Sequence, residues 1–188
     1  MKNSYLLSIG VVIALGLSLF NFVNGFESKA DLIKDFYDIE TAVSISPHHM
    51  RGYMGEFQEF VIVDVRDTND YEQEHIISAI NIPASLSDEE LVEQFSKISE
   101  GKEIITYCYS TACMSSRKVG KVLADAGIYV KHLNVGWNEW KYSPESWNYP
   151  EEWADLDIQE TLISGSEPGE FPEDFTSKSC PIDGDNGC

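Results

Sequence analysis

Short apolar runs alternate with amphipathic stretches along most of the chain. Residues 29–38 read as a helix with Leu32, Ile33 and Phe36 on one face, and Ala42–Ile45 as a short strand. Ser46 and Pro47 then open a helix as cap and first-turn residue. It carries His48, His49 and Met50 and ends near Gly52 or Gly55. Phe60–Val65 is a continuous apolar run with one Asp, the pattern of a strand covered on both faces. Asp70–Glu74 makes one helical turn, and Ala79–Ile82 is a second short strand stopped by Pro83. Ser87 and Glu90 form a capping box for a helix whose buried stripe is Leu91, Phe95 and Ile98. Glu103–Tyr107 is the next strand. Ser115 or Ser116 starts a helix with Val119, Val122 and Leu123 on its inner face, closed at Gly127. Tyr129–Val135 alternates as a last strand, and Gly136-Trp137 begins a short helix carrying Trp140.

Strands alternating with helices predict an α/β domain with a mostly parallel sheet. Such sheets bind ligands just beyond the carboxyl ends of their strands. Cys108 occupies that place, directly after Ile104-Ile105-Thr106-Tyr107.

The two ends differ from this middle. Lys2 precedes an apolar run from Tyr5 to Val23, and Val23 and Gly25 have the spacing a signal peptidase accepts before Phe26. Residues 1–25 are therefore expected to be a secretory signal, with an uncleaved membrane anchor as the alternative. Either way the chain is expected to be exported, to a periplasmic or extracellular space. From Glu145 to Cys188 there are twelve acidic residues against one Lys, a net of −11. The chain thus divides into the signal, a domain over 26–145 and an acidic extension over 146–188. Trp147, Tyr149 and Trp153 are expected to pack on the domain, and the part beyond Ile163 to be a loose tail.

The formal net charge of the whole chain is −19, which repels phosphate backbones and anionic lipid head groups and argues against nucleic-acid binding. Four cysteines, Cys108, Cys113, Cys180 and Cys188, permit two disulfides in an oxidising compartment. Nearest-neighbour pairing is the simplest arrangement, but spacing alone leaves the pairing open. Within Cys180–Cys188, Asp183-Gly-Asp185-Asn-Gly resembles part of a calcium loop without its distal Glu, and a disulfide-closed tail is the better reading. His48, His49 and His132 form no metal-ligand spacing with a Cys, so no metal and no cofactor are expected.

A Cys after an apolar strand is commonly a small core residue. The residues after Cys108 favour a different role. Tyr109, Ser110, Thr111 and Ala112 make a short run whose backbone N–H groups, from Tyr109 through Cys113 and with those of the following helix start, are able to converge on an anion. Sulfur held there is favoured as thiolate or persulfide. Hydroxyls of Ser110, Thr111, Ser115 and Ser116 add donors, and Arg117 or Lys118 adds positive charge.

The stretches Val63-Asp64-Val65-Arg66, Tyr71-Glu72, His75-Ile76 and Ala79-Ile80-Asn81-Ile82-Pro83 resemble the first signature of the rhodanese family. Cys108 after its strand, Ala126-Gly127 and Gly136-Trp137-Asn138-Glu139-Trp140 resemble the remainder, so that the likeness covers residues 40–142. It implies a parallel five-stranded sheet with helices on both faces. It also implies a sulfurtransferase in which Cys108 takes sulfane sulfur from a small donor and passes it to a thiol acceptor. The loop residues Tyr109 to Ala112, with Met114, Ser115 and Arg117, then line the substrate site. Asp64, Arg66 and His75 are structural neighbours by the same resemblance, with Arg66 expected to pair with Glu72. Trp137 and Trp140 lie near the site in that fold.

Simple members carry Arg at the place of Cys113, followed by Ser where this chain has Met114; a subgroup has the same Cys-x4-Cys loop. Cys113 is open to three readings: a plain loop residue, an attacker of a persulfide on Cys108, or a standing disulfide partner. The last two make a dithiol/disulfide redox protein with a redox partner protein the alternative function. A binding module that has kept the fold without the chemistry is the third.

Overall fold

The structure, a computed structural model, describes residues 28–54, 60–99, 101–147 and 157–171. The expected signal, Tyr149, Trp153, the Cys180–Cys188 loop and its Asp183–Asp185 core lie outside the described residues. The chain divides after Thr41 into two units. Among the described residues no helix is long and apolar enough to cross a membrane.

The first helix, α1 (Lys29–Val43), is capped by Ser28, whose Oγ accepts the Asp31 N–H at 3.1 Å. It runs five residues past its expected end at Asp38, through Ala42 and Val43, which the hydrophobic pattern had assigned to a strand. Nothing between 29 and 43 breaks a helix, and the Lys34–Asp38 ion pair spans one turn. The strand keeps only Ser44 and Ile45.

The remaining elements are β1 (Ser44–Ile45), α2 (Pro47–Tyr53), β2 (Phe60–Asp64), α3 (Thr68–Gln73), β3 (His75–Ile76) and β4 (Ile80–Asn81), followed by α4 (Asp88–Ile98), β5 (Glu103–Tyr107), α5 (Ser115–Asp125), β6 (Lys131–Leu133) and α6 (Trp137–Tyr142). Short 3-10 turns at Pro144–Ser146 and Ile158–Thr161 precede β7 (Leu162–Ile163). Five strands form one sheet in the order β1-β6-β5-β2-β4, all neighbours parallel. β5 lies at the centre, paired with β2 from Phe60↔Glu103 to Asp64↔Tyr107.

The strands alternate their side chains between two apolar layers, as both-face burial requires. Ile62, Ile105, Tyr107 and Leu133 pack with Met50, Trp137, Trp140 and Trp147 on one side. Val63, Ile104 and Cys108 pack with Leu91 and Phe95 of α4 and Val119 and Leu123 of α5 on the other. The helices therefore cover both faces, as the resemblance implied. The expected capping box is present: Ser87 Oγ accepts the Glu90 N–H at 3.3 Å, and Glu90 Oε2 accepts the Ser87 N–H at 2.9 Å. Gly127 ends α5 at φ 77°, the left-handed conformation that glycine adopts without a Cβ penalty.

Two strand expectations were too long. Ala79–Ile82 pairs only at Ile80–Asn81, on an edge of the sheet, and Tyr129–Val135 forms a strand only at Lys131–Leu133, between β1 and β5. The chain beyond Ile163 also differs from the loose tail expected of it, as far as Phe171. β7 pairs antiparallel with β3, matching His75 with Ile163 and Ile76 with Leu162. Gly165 N–H then bonds Glu72 O at 2.8 Å, Ser78 N–H bonds Pro168 O at 2.5 Å, and Phe171 packs on the core. Trp140 Nε1 donates to Thr161 Oγ1 at 3.0 Å with both residues fully buried, which ties this return segment to α6.

Candidate functional site

From the central pair of strands the chain departs in opposite directions. β2 leads outward to β4 on one side, and β5 leads to β6 on the other. A parallel sheet opens a crevice beyond the carboxyl ends of its strands at such a switch point. The ends that meet there are Asp64–Arg66 after β2 and Cys108–Tyr109 after β5.

The β2 end is rigid. Arg66 Nε lies 2.9 Å from Asp64 Oδ2 and its NH2 2.6 Å from the same oxygen, with the pair 2% and 0% exposed. Tyr107 donates its hydroxyl to Asp64 Oδ2 at 2.6 Å, and Arg66 also donates to Glu74 O at 2.8 Å. Asp64 is thus the partner of Arg66, in place of the expected Glu72, whose side chain is exposed. The two-residue spacing returns Arg66 over its own strand end, where its guanidinium lies 4.3 Å from the Trp137 ring centroid. Burial disfavours the charge on Arg66, but the Asp64 carboxylate outweighs it and raises the guanidinium pKa further. Burial, followed by the Asp64 charge, pushes the Tyr107 phenol well above its ordinary range. The fully buried His75 stacks on Tyr71, with Nδ1 2.8 Å from Tyr71 O and Nε2 3.2 Å from Glu167 O.

Beyond β5 the chain turns back on itself. Cys113 N–H bonds Ser110 O at 2.9 Å, closing a turn over Ser110–Cys113 that brings Cys113 beside Cys108. The two are joined by a disulfide, with Cα atoms 6.3 Å apart. Cys108 is buried and Cys113 half-buried, with Thr111, Ala112 and Met114 exposed around them. α5 starts at Ser115, so Cys113 lies two residues before its positive end. Arg117, one turn in, has NH1 3.5 Å from Cys113 O.

The loop is fastened from outside by the start of α6. Trp137 N–H bonds Cys108 O at 2.8 Å and Asn138 N–H bonds Tyr109 O at 2.9 Å. Glu139 Oε2 accepts Thr111 N–H and Gly136 N–H, both at 3.0 Å, and its Oε1 lies 3.3 Å from Thr111 Oγ1. Gly136 is required here: a Cβ would lie 2.3 Å from Ser110 Cα and N. Two N–H groups expected to face the sulfur, those of Thr111 and Cys113, are thus donated to Glu139 and Ser110 in the disulfide-closed loop.

Tyr109 closes the crevice on the β2 side. Its hydroxyl donates to Asp70 Oδ2 at 2.5 Å and accepts the Asp67 N–H at 3.2 Å. Burial, then the bond to Asp70, raises the phenol pKa. A cleft of about 450 Å³ opens beside it, between Arg66, Tyr109, Trp137 and Lys141. Lys141 bonds Glu74, which raises its pKa.

Sequence reasoning singled out Cys108, Cys113 and the loop between them, and the structure brings these together with Asp64, Arg66 and Trp137. It missed Glu139 and Asp70. The signal for Glu139 was present: Gly136-x-x-Glu139 has the spacing by which a third helical residue reaches back to the cap. Asp70 had no such signal, because its partner Tyr109 is 39 residues away.

Residues 46–143 match the Rhodanese-like domain family. An HTH-type transcriptional regulator of Mycobacterium tuberculosis, Rv0324, is 34% identical over 86 residues, which cover 46% of this chain and 36% of that protein. The chain thus spans about a third of that relative's length. Thiosulfate sulfurtransferase GlpE of Coxiella burnetii is 36% identical over 85 residues, covering 45% of this chain and 74% of the enzyme. Among solved structures, the BH2092 protein of Bacillus halodurans superposes with a TM-score of 0.52 at 26% identity, over 61% of this chain and 82% of that one.

Proposed function

The chain belongs to the rhodanese-like domain family, and on that premise we propose that it is an exported sulfurtransferase carrying sulfane sulfur as a persulfide on Cys108. One observation carries the reading: Cys108 directly follows the central strand at the switch point of the sheet, in the loop that leads into α5. A thiolate formed there on reduction attacks the outer sulfur of a donor such as thiosulfate. Sulfite leaves, and the persulfide anion stays against the positive end of the helix. A thiol acceptor then takes the sulfur and restores the thiolate. The likeness to a named thiosulfate sulfurtransferase supports this donor class. The cleft between Arg66, Tyr109, Trp137 and Lys141 offers the donor or acceptor a place next to the loop.

The test is sulfur transfer from thiosulfate to cyanide by the reduced chain and by Cys108→Ser. Thiocyanate formation by the wild type and its loss in the variant are expected. Undiminished transfer by Cys108→Ser would sink the reading. Export rests on Lys2, the Tyr5–Val23 run and the Val23/Gly25 spacing. Recovery of a chain beginning at Phe26 tests it, whereas one keeping Met1 in the membrane fraction marks an anchor instead. The Cys108–Cys113 disulfide favours a second reading, in which the two thiols cycle as a redox couple with a partner protein and no sulfane donor.

A further inference from the structure

We propose that Cys113 is a resolving thiol that expels sulfide from a Cys108 persulfide. The released product is then hydrogen sulfide, and the chain must be recharged by a dithiol reductant. This rests on the sulfurtransferase reading and says what happens to the sulfur when no acceptor intervenes.

Three observations converge. First, the Ser110–Cys113 turn places the two sulfurs within bonding reach, and they are bonded. The bond forms with the loop anchors to Trp137, Asn138 and Glu139 in place. The product of resolution is therefore compatible with the fastened loop. Second, the two thiols differ in the way the two roles require. Cys108 is 3% exposed, which shields a persulfide from stray nucleophiles in solution. Cys113 is half-buried, among exposed Thr111, Ala112 and Met114. It lies two residues before α5, where the helix dipole favours an anionic sulfur. Third, Thr111 and Cys113 donate their N–H groups away from the sulfurs in the closed loop. The form that the structure records is thus the neutral, oxidised one, with those donors turned from the cradle a charged persulfide would use.

The chemistry balances. In the first step the Cys108 thiolate and thiosulfate give the Cys108 persulfide and sulfite. In the second, Cys113 Sγ attacks Cys108 Sγ, the inner sulfur of the persulfide. The Cys113–Cys108 bond forms and the bond from Cys108 to the outer sulfur breaks. Hydrosulfide leaves with the electron pair of the broken bond and the Cys113 proton. The outer sulfur is reduced and the Cys113 sulfur oxidised. A dithiol then attacks the disulfide at the more exposed Cys113 sulfur and is itself oxidised, returning both thiols.

The experiment is a single turnover of the reduced, desalted, anaerobic chain with thiosulfate and no acceptor, reading sulfite, sulfide and intact mass together. An aryl thiosulfonate, whose leaving group is a sulfinate, serves as a second donor in parallel. The wild type is expected to release the first leaving group and sulfide in equal amounts and to end two hydrogens lighter. Cys113→Ser is expected to release the leaving group alone, to hold a one-sulfur adduct, and to lose sulfide release to the level of Cys108→Ser. Wild-type protein that keeps the sulfur adduct and stays a dithiol overturns the inference and leaves the persulfide reading standing. This outcome is read on the wild type, so it does not depend on the variant folding. Leaving group from neither donor overturns both.

Discussion

Replacing Gly136 by Ala tests whether the start of α6 holds the sulfur loop in place. The added Cβ would lie 2.3 Å from Ser110 Cα and N and 2.6 Å from its carbonyl carbon. Ordinary contact needs about 3.4 Å or more, so the loop or the helix must retreat by roughly 1 Å. The obstructing atoms are backbone, which no rotamer change can move aside. A displacement of that size stretches the bonds from Trp137 N–H to Cys108 O and from Asn138 N–H to Tyr109 O, now 2.8 and 2.9 Å. At about 1 kcal/mol for each hydrogen bond, the expected loss of stability is about 2–3 kcal/mol. The chemical effect should be larger, because Cys108 moves with the loop; misplacing a reacting group by about 1 Å costs on the order of a hundredfold in rate. Gly120→Ala provides the control for the same change of side chain. Its Cβ would meet Val130 Cγ2 at 3.5 Å, an ordinary contact inside α5, and should stabilise by up to about 1 kcal/mol. Urea denaturation and single-turnover sulfite release on both variants decide the matter. Wild-type stability and rate in Gly136→Ala would refute the claim that this close approach positions the loop.

Arg66→Met should destabilise the domain by about 3–5 kcal/mol, because it strands the Asp64 carboxylate, 0% exposed, without its partner; a urea midpoint close to that of the wild type would show that Asp64 does not carry a buried charge. Thr161→Val removes the acceptor of the buried Trp140 Nε1–H and should cost about 1–3 kcal/mol in the same assay, as a test of whether the 157–171 segment is part of the folded domain. Burial and the Asp64 charge push the Tyr71 phenol up to about 12 and raise Tyr107 as well. Both groups stay protonated in the fold above the pH at which the unfolded chain loses those protons. Their contribution to stability is therefore present below about pH 10 and is lost as pH rises toward the folded values. Ultraviolet titration should show two tyrosines that resist ionisation until the domain unfolds, and ionisation of every tyrosine near pH 10 in the folded state would contradict it.

What could be read from the sequence depended on the range of the signal. Ser87 and Glu90 are neighbours in one capping box, and Leu91 and Phe95 face the core one turn apart, so local periodicity was enough for α4. Cys108 was legible because an apolar strand followed by a small polar loop already defines a crevice in a parallel sheet. The β3–β7 pair was not legible. Two-residue strands carry no alternation, and their partners lie more than eighty residues apart. Composition misled at Gly165–Phe171 for a related reason. Gly, Ser and Pro predict a loose chain only where the backbone has no partner, and here Glu72 O and Ser78 N–H supply partners from across the fold. The Arg66 pairing failed differently: Glu72 and Asp64 were both in reach by sequence, and only the buried position of Asp64 decides between them.

That decision links the two ends of the crevice. Asp64 takes Arg66 and the Tyr107 hydroxyl together, and Arg66 in turn lies over Trp137, whose N–H holds Cys108 O. The strand end that carries no reacting atom thereby fixes the residue on which the loop hangs. Glu139 fastens the far side of the same loop through Thr111. Cys113 lies at the far end of the Ser110–Cys113 turn, beyond both anchors and half-buried, whereas Cys108 is buried and held through its own carbonyl. The two bonded cysteines are thus unequal in exposure and in how the surrounding fold holds them, an asymmetry that two equivalent redox thiols would not need.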